Sequence, residues 1–147
     1  MHPSFRIERL TPHEFAAINA IVEELLPQLT SGGGYTTESV TRAIVNPQNS
    51  VIVARTTLHP IPFRVAMLAV VNNLLGSTGI IHDVVVDRQY RKLGVGKALV
   101  DTLLQDARNL GLKSVDLTSH AERKEAIALY SKMGFVRVET NLMRVTL

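Results

Sequence analysis

The chain has 147 residues, a length that suits one domain over residues 1–147, and 46% of them are hydrophobic, which excludes a disordered chain. Lys and Arg number 16 against 13 Asp and Glu, and no basic run is interleaved with aromatics, so nucleic acid is not expected as a partner. There is no cysteine, which excludes disulfides, thiolate metal sites and a cysteine nucleophile. No apolar stretch is long enough to span a bilayer, and Met1-His2-Pro3-Ser4-Phe5-Arg6 lacks the apolar core of a signal peptide. A soluble, cytoplasmic protein with no membrane partner is the expectation.

Phe5 to Leu10 reads as a first strand. Thr11-Pro12 supplies an N-cap and a proline at the first helical position, and Phe15, Ile18, Ile21, Val22, Leu25 and Leu26 follow at helical spacing. Pro27 weakens the end of that helix. Gly32-Gly33-Gly34 reads as a flexible connector, and Thr36-Thr37-Glu38-Ser39 starts a second helix that stops at Asn46-Pro47. Val51–Thr56, Phe63–Val71 and Thr78–Asp87, separated by turns at Pro60/Pro62 and at 72–77, read as an antiparallel meander. Val95, Leu99, Leu103, Ala107 and Leu110 share one face of a helix that Gly111 caps. Ser114–Thr118 is then a strand parallel to its predecessor, because a helix crosses between them. Ala126, Leu129, Tyr130 and Met133 mark a last helix, closed by Gly134. Phe135–Leu147 reads as two further β-like pieces broken near Thr140-Asn141.

The stretch richest in chemistry is Val84-Val85-Val86-Asp87-Arg88-Gln89-Tyr90-Arg91-Lys92-Leu93-Gly94-Val95-Gly96-Lys97-Ala98-Leu99. A β-branched strand feeds a basic, glycine-punctuated loop, and a helix begins there. The first amides of a helix have no internal partner and sit at the positive end of its dipole, so such a junction cradles phosphate. A dinucleotide fingerprint fails on context: the loop comes late, after a meander, and Leu99 stands where the third glycine belongs. A Walker loop fails as well, since Gly94-Val95-Gly96-Lys97 lacks the spacer and the following Ser or Thr. The spacing of His2, His13 and His59 supports no metal site.

Two motifs together carry a family resemblance. Arg91-x-x-Gly94-x-Gly96 follows a strand, and about thirty residues later comes Ala126-Ile127-Ala128-Leu129-Tyr130-Ser131-Lys132-Met133-Gly134-Phe135. With the element order, the chain resembles the GCN5-related N-acetyltransferase (GNAT) family over nearly its whole length. The resemblance implies an α+β fold, a mixed and mostly antiparallel central sheet flanked by helices. It implies direct transfer of acetyl from acetyl-CoA to a primary amine of a small molecule or protein, with no metal, and it admits a homodimer. It places the donor's pyrophosphate on Arg91, Gly94, Gly96, Lys97 and the amides of Lys92, Leu93, Val95 and Ala98. The pantetheine arm then pairs with Val84, Val85 and Val86. Tyr130 matches the tyrosine that protonates the departing thiolate.

Many members carry a glutamate as base where this chain has His82-Asp83. A neutral imidazole can take a proton at pH 7, and strand alternation would turn only one of the two toward the cleft. His82, Asp83 and water stay open as the base. Asp83-Val84-Val85-Val86-Asp87 also resembles the corresponding strand of glucosamine-6-phosphate N-acetyltransferases. Thr118-Ser119-His120-Ala121-Glu122-Arg123 resembles a segment before the tyrosine helix in small members, making Ser119 a candidate cofactor contact; the competing role for Ser119 or His120 is helix capping. The departure at His82 motivates a second reading, an acyl-CoA-binding sensor or accessory protein that kept the cradle and lost catalysis.

Overall fold

The structure, a computed structural model, describes residues 4–91 and 94–147. Five strands form one sheet in the order β1 (Phe5–Arg9), β2 (Asn49–Thr56), β3 (Arg64–Asn73), β4 (Gly76–Val86) and β5 (Val115–Leu117). The first four run antiparallel as a meander, and β5 joins β4 in parallel across a helical crossover. The mixed, mostly antiparallel α+β sheet is the one expected.

Alternation along the strands gives each face its own core. Val51, Val53, Val65 and Val85 meet Ile18, Ile21 and Leu25, with Val40 and Ile44 packed alongside. These belong to α1 (Phe15–Ala20), a widened π segment (Ile21–Leu25) that leads into α2 (Leu26–Leu29), and α3 (Thr37–Val45). On the other face Ile52, Ala66, Leu68 and Ile81 meet Leu99, Val100, Leu103 and Ala107 of α4 (Val95–Asn109). Tyr130, in α5 (Lys124–Lys132), joins this face with Met133 and Phe135. The start of α3 and the end of α4 follow the local sequence. Thr36 and Ser39 cap α3 reciprocally, and Gly111, at φ 72°, follows the last turn of α4.

Four expectations need correction. The first helix starts at Phe15, not Pro12. Thr11 does not cap it, because its amide and hydroxyl donate to the Glu14 carboxylate at 2.8 and 3.2 Å. Phe15 consequently lies outside the core, 70% exposed. The π segment lies just before Pro27, which has no N–H to donate and whose ring crowds the carbonyl four residues back. Leu110 is exposed, past the last buried turn of α4. Phe135–Leu147 forms no strand. Its alternating residues suit a pleated surface, but a strand exists only through pairing, and β5, three residues long, carries no antiparallel partner.

The last correction shapes the site. Arg64 pairs with Val86 and Val65 with Val85, but Met67 pairs with His82, so β4 carries one extra residue opposite Ala66. This bulge centres on Asp83, whose φ of +56° makes it the non-glycine residue of the described chain with a left-handed backbone. Alternation lapses there, and His82 and Asp83 are both exposed and both line the same cleft.

Candidate active site

β4 and β5 stay hydrogen-bonded only from Gly79–Val115 to Ile81–Leu117. β4 continues five residues further, so its C-terminal half is free of its parallel neighbour and a gap opens between the strands. The bulge at Asp83 adds local twist at the point of separation. Parallel strands that part at their C-terminal ends leave a crevice where ligands bind.

Two clefts occupy this crevice. One, of about 610 Å³, takes His82, Asp83, Ser119, His120 and Arg123 in its lining, with Leu142 and Arg144 of the C-terminal segment. The other, of about 550 Å³, takes Arg64, Val84, Val86, Arg91 and Gly96. Tyr130 lines both, together with Leu29, Val84, Arg123 and Ala126. The tyrosine therefore stands where the clefts meet. Its ring is held edge-on by Phe135, with centroids 5.7 Å apart, and the Phe135 amide donates to the Tyr130 carbonyl at 3.0 Å. Burial raises the phenol above its ordinary pKa, and the positive fields of Arg123 and Arg64 only partly oppose this. The group is a neutral proton donor at physiological pH.

The turn that leaves β4, at residues 87–90, is held by several contacts. Asp87 accepts from the Gln89 amide at 3.0 Å and donates its own amide to Phe63. The Arg88 amide donates to the Gln28 side chain at 3.0 Å, and Tyr90 stacks on Phe63 with centroids 4.3 Å apart. Gly94, at φ 75°, is the N-cap of α4 and offers no side chain to its amides. A left-handed φ is where glycine carries no steric cost. The Ala98 amide is already committed to the Gly94 carbonyl at 3.2 Å, so the available donors are Val95, Gly96 and Lys97. The Lys97 ammonium turns aside to Asp101 at 2.7 Å, which leaves that residue only its backbone to offer. Lys92 and Leu93 lie outside the described residues.

Of the other sequence candidates, Arg91, Val84, Val85 and Val86 line the second cleft, although the Val85 side chain is buried in the core behind it. Ser119 lies in the first cleft with His82, away from the α4 terminus. Neither Ser119 nor His120 caps α5 with its side chain; its N-cap residue is Arg123, whose guanidinium reaches the Leu29 carbonyl at 3.4 Å. Sequence reasoning missed Arg64. The available signal was a lone cation opening an otherwise apolar strand, Arg64-Val65-Ala66-Met67-Leu68. Among the described residues no group of three or more His, Asp or Glu could hold a metal, and no helix is long and apolar enough to cross a membrane.

A split mixed sheet with a glycine-led helix on one side of the gap and a tyrosine helix on the other defines a class of acyl-transfer folds. The sequence pattern of the Acetyltransferase (GNAT) family matches residues 19–135, and the chain belongs to that family. It is 38% identical over 65 residues to a mycothiol acetyltransferase of Paenarthrobacter aurescens, covering 44% of this chain and 20% of that protein. It is 39% identical over 71 residues to glucosamine 6-phosphate N-acetyltransferase of Trypanosoma brucei brucei, covering 48% and 46%. These matches thus span less than half of the curated relatives' length. The fold resembles the crystal structure of glucosamine-6-phosphate N-acetyltransferase from Arabidopsis thaliana, with TM-score 0.76, 24% identity and 97% and 98% coverage. It also resembles an aminoglycoside acetyltransferase from an uncultured soil sample, with TM-score 0.82, 16% identity and 97% and 96% coverage.

Proposed function

We propose that this protein is an acetyl-CoA-dependent N-acetyltransferase that moves acetyl directly to a primary amine, within a single domain. The observation that carries the reading is Tyr130, protonated and placed at the junction of two clefts that flank the free half of β4. The donor occupies the α4 side, with its diphosphate on the amides of Val95, Gly96 and Lys97 and its arm along Val84–Val86. The acceptor enters the cleft of His82, Asp83 and Ser119. The amine nitrogen attacks the thioester carbon, and a free amide at the gap stabilises the oxyanion. The carbon–sulfur bond breaks, and the thiolate takes the Tyr130 proton. The amine's proton passes to His82 or Asp83, directly or through water, since both line that cleft.

The test is acetyl-CoA with a panel of primary amines, followed through released CoA thiol. One acceptor should support release, and an acetyl group stably bound to the protein on the reaction path would refute direct transfer. Tyr130→Phe should lower kcat about 100-fold while leaving CoA affinity unchanged. An equal fall in both would remove the acid role.

The sensor reading draws on His82, whose imidazole has no hydrogen-bond partner among the described residues to hold it in place. Tight CoA binding with no turnover across the panel would favour that reading.

A further inference from the structure

The chain buries two arginines in its sheet, and they are treated differently. Arg55, 6% exposed, is paired with the carboxylates of Glu8 and Glu14. Arg64, 5% exposed, has no carboxylate within 4.0 Å among the described residues, and its Nε and Nη1 are buried without a hydrogen-bond partner. Desolvation pushes its pKa down to about 10, the Tyr130 hydroxyl works the other way, and Arg91 pushes it down further. It stays a cation at neutral pH. A buried charge left without a partner destabilises the fold, because its lost hydration is not replaced by a carboxylate or a hydrogen bond.

The location of this cation gives the cost a meaning. Arg64 shares the α4 face of β3 with Ala66 and Leu68, and its side chain runs under the first turn of α4. Its Nη1 lies 2.7 Å from where a Cβ on residue 96 would stand, so only glycine there leaves the guanidinium its space. The helix end above it is itself positive, and its amides at Val95, Gly96 and Lys97 lack partners. Arg91 lines the same cleft. The carboxylates on this cleft are Glu122 and Glu125, both exposed at the α5 end, and neither pairs with Arg64. Three positive elements thus converge with no anion between them, and a small, doubly charged oxyanion group satisfies all three at once.

We propose that Arg64 is a diphosphate-binding residue, the floor of a site whose walls are the α4 amides and Arg91. The inference rests on the acetyl-CoA reading for the source of the diphosphate. It adds that the donor's affinity is drawn from a charge buried in the sheet, as well as from the loop. Donor binding then relieves an unpaired buried cation, so the apo protein is the strained state.

The experiment uses the full chain with Arg64→Met and Arg64→Lys. Wild type should gain thermal stability from CoA and, at higher concentration, from inorganic pyrophosphate. Arg64→Met should bind CoA about 30-fold more weakly and lose the pyrophosphate effect. Its apo melting temperature should hold or rise, because the unpaired charge is gone. Binding of S-acetylpantetheine, which has no diphosphate, should be equal in wild type and Arg64→Met when measured by competition. Arg64→Lys keeps the charge and should stay within about fivefold of wild type for CoA. CoA affinity of Arg64→Met within twofold of wild type would overturn the proposal. So would an equal loss for S-acetylpantetheine, or Arg64→Lys failing as badly as the methionine variant. If wild type bound pyrophosphate through Arg64 but not CoA, the anion site would stand and the acetyl-CoA reading would fall.

Discussion

Gly96→Ala separates the fold's requirements from those of the donor. The added Cβ would stand 2.7 Å from Arg64 Nη1 and 3.5 Å from its Cζ. Ordinary contact begins at 3.4 Å, so the guanidinium must retreat by about 0.7 Å. Residue 96 lies in the first turn of α4 without a positive φ, so alanine is tolerated there and favours the helix by up to about 1 kcal/mol. Gain and displacement oppose each other, and the apo melting temperature should move by no more than about 3 °C. On the proposed donor site the donor loses twice, because a methyl group would stand where the backbone is proposed to meet the diphosphate and Arg64 would have moved. A tenfold weaker CoA complex is expected, equivalent to about 1.4 kcal/mol. At fixed saturating CoA this lowers the ligand-induced rise in melting temperature by about 3–6 °C. Equilibrium titration and thermal scans of the same samples give both numbers. Unchanged CoA affinity would refute the reasoning. A fall of more than about 8 °C in the apo protein would show that the space at residue 96 belongs to the fold instead.

His82→Ala, with folding and CoA affinity intact, should lower turnover about 100-fold; unchanged turnover passes the base role to Asp83 or water. Glu14→Gln should destabilise the protein at pH 7. Burial alone would raise the Glu14 pKa, but the Thr11 amide and Arg55 outweigh it and hold the carboxylate below its usual range. Its contribution is therefore present above the carboxylate range and lost as pH falls through the lowered folded value, so urea unfolding should show the gap from wild type closing as pH drops below the ordinary carboxylate range. Leu103→Ala removes a fully buried side chain between α4 and the sheet and should cost about 3 kcal/mol in denaturant unfolding, without altering the ratio of CoA to acceptor affinity.

The strands and helices were largely legible because burial imposes a period. Val51 and Val53 face one core and Ile52 the other, and Leu99, Leu103 and Ala107 repeat at helical spacing against the second. Gly94 at the head of α4 was legible because a positive φ and an open helix end constrain residue type locally. Tyr130 was legible only through resemblance; its periodicity by itself says core, and the structure places it partly there as well.

What the sequence determined by itself was whatever a short window encodes: the elements, the α3 cap, the glycines at positive φ, the charge and glycine pattern of the cradle. Pairing and convergence were decided by the tertiary structure. The bulge at Asp83 depends on how β4 registers against β3, and it put His82 and Asp83 on one cleft where alternation allowed only one. The C-terminal residues have strand-like alternation, but hydrogen-bonding partners lie far away in sequence, and Phe135–Leu147 found none in the sheet. Arg55 and Arg64 are the same residue type in similar apolar strands. One meets two carboxylates, and the other meets the positive end of a helix 31 positions further along the chain. Composition cannot distinguish them, because the energy of a buried charge depends on what the fold brings within a few ångströms of it.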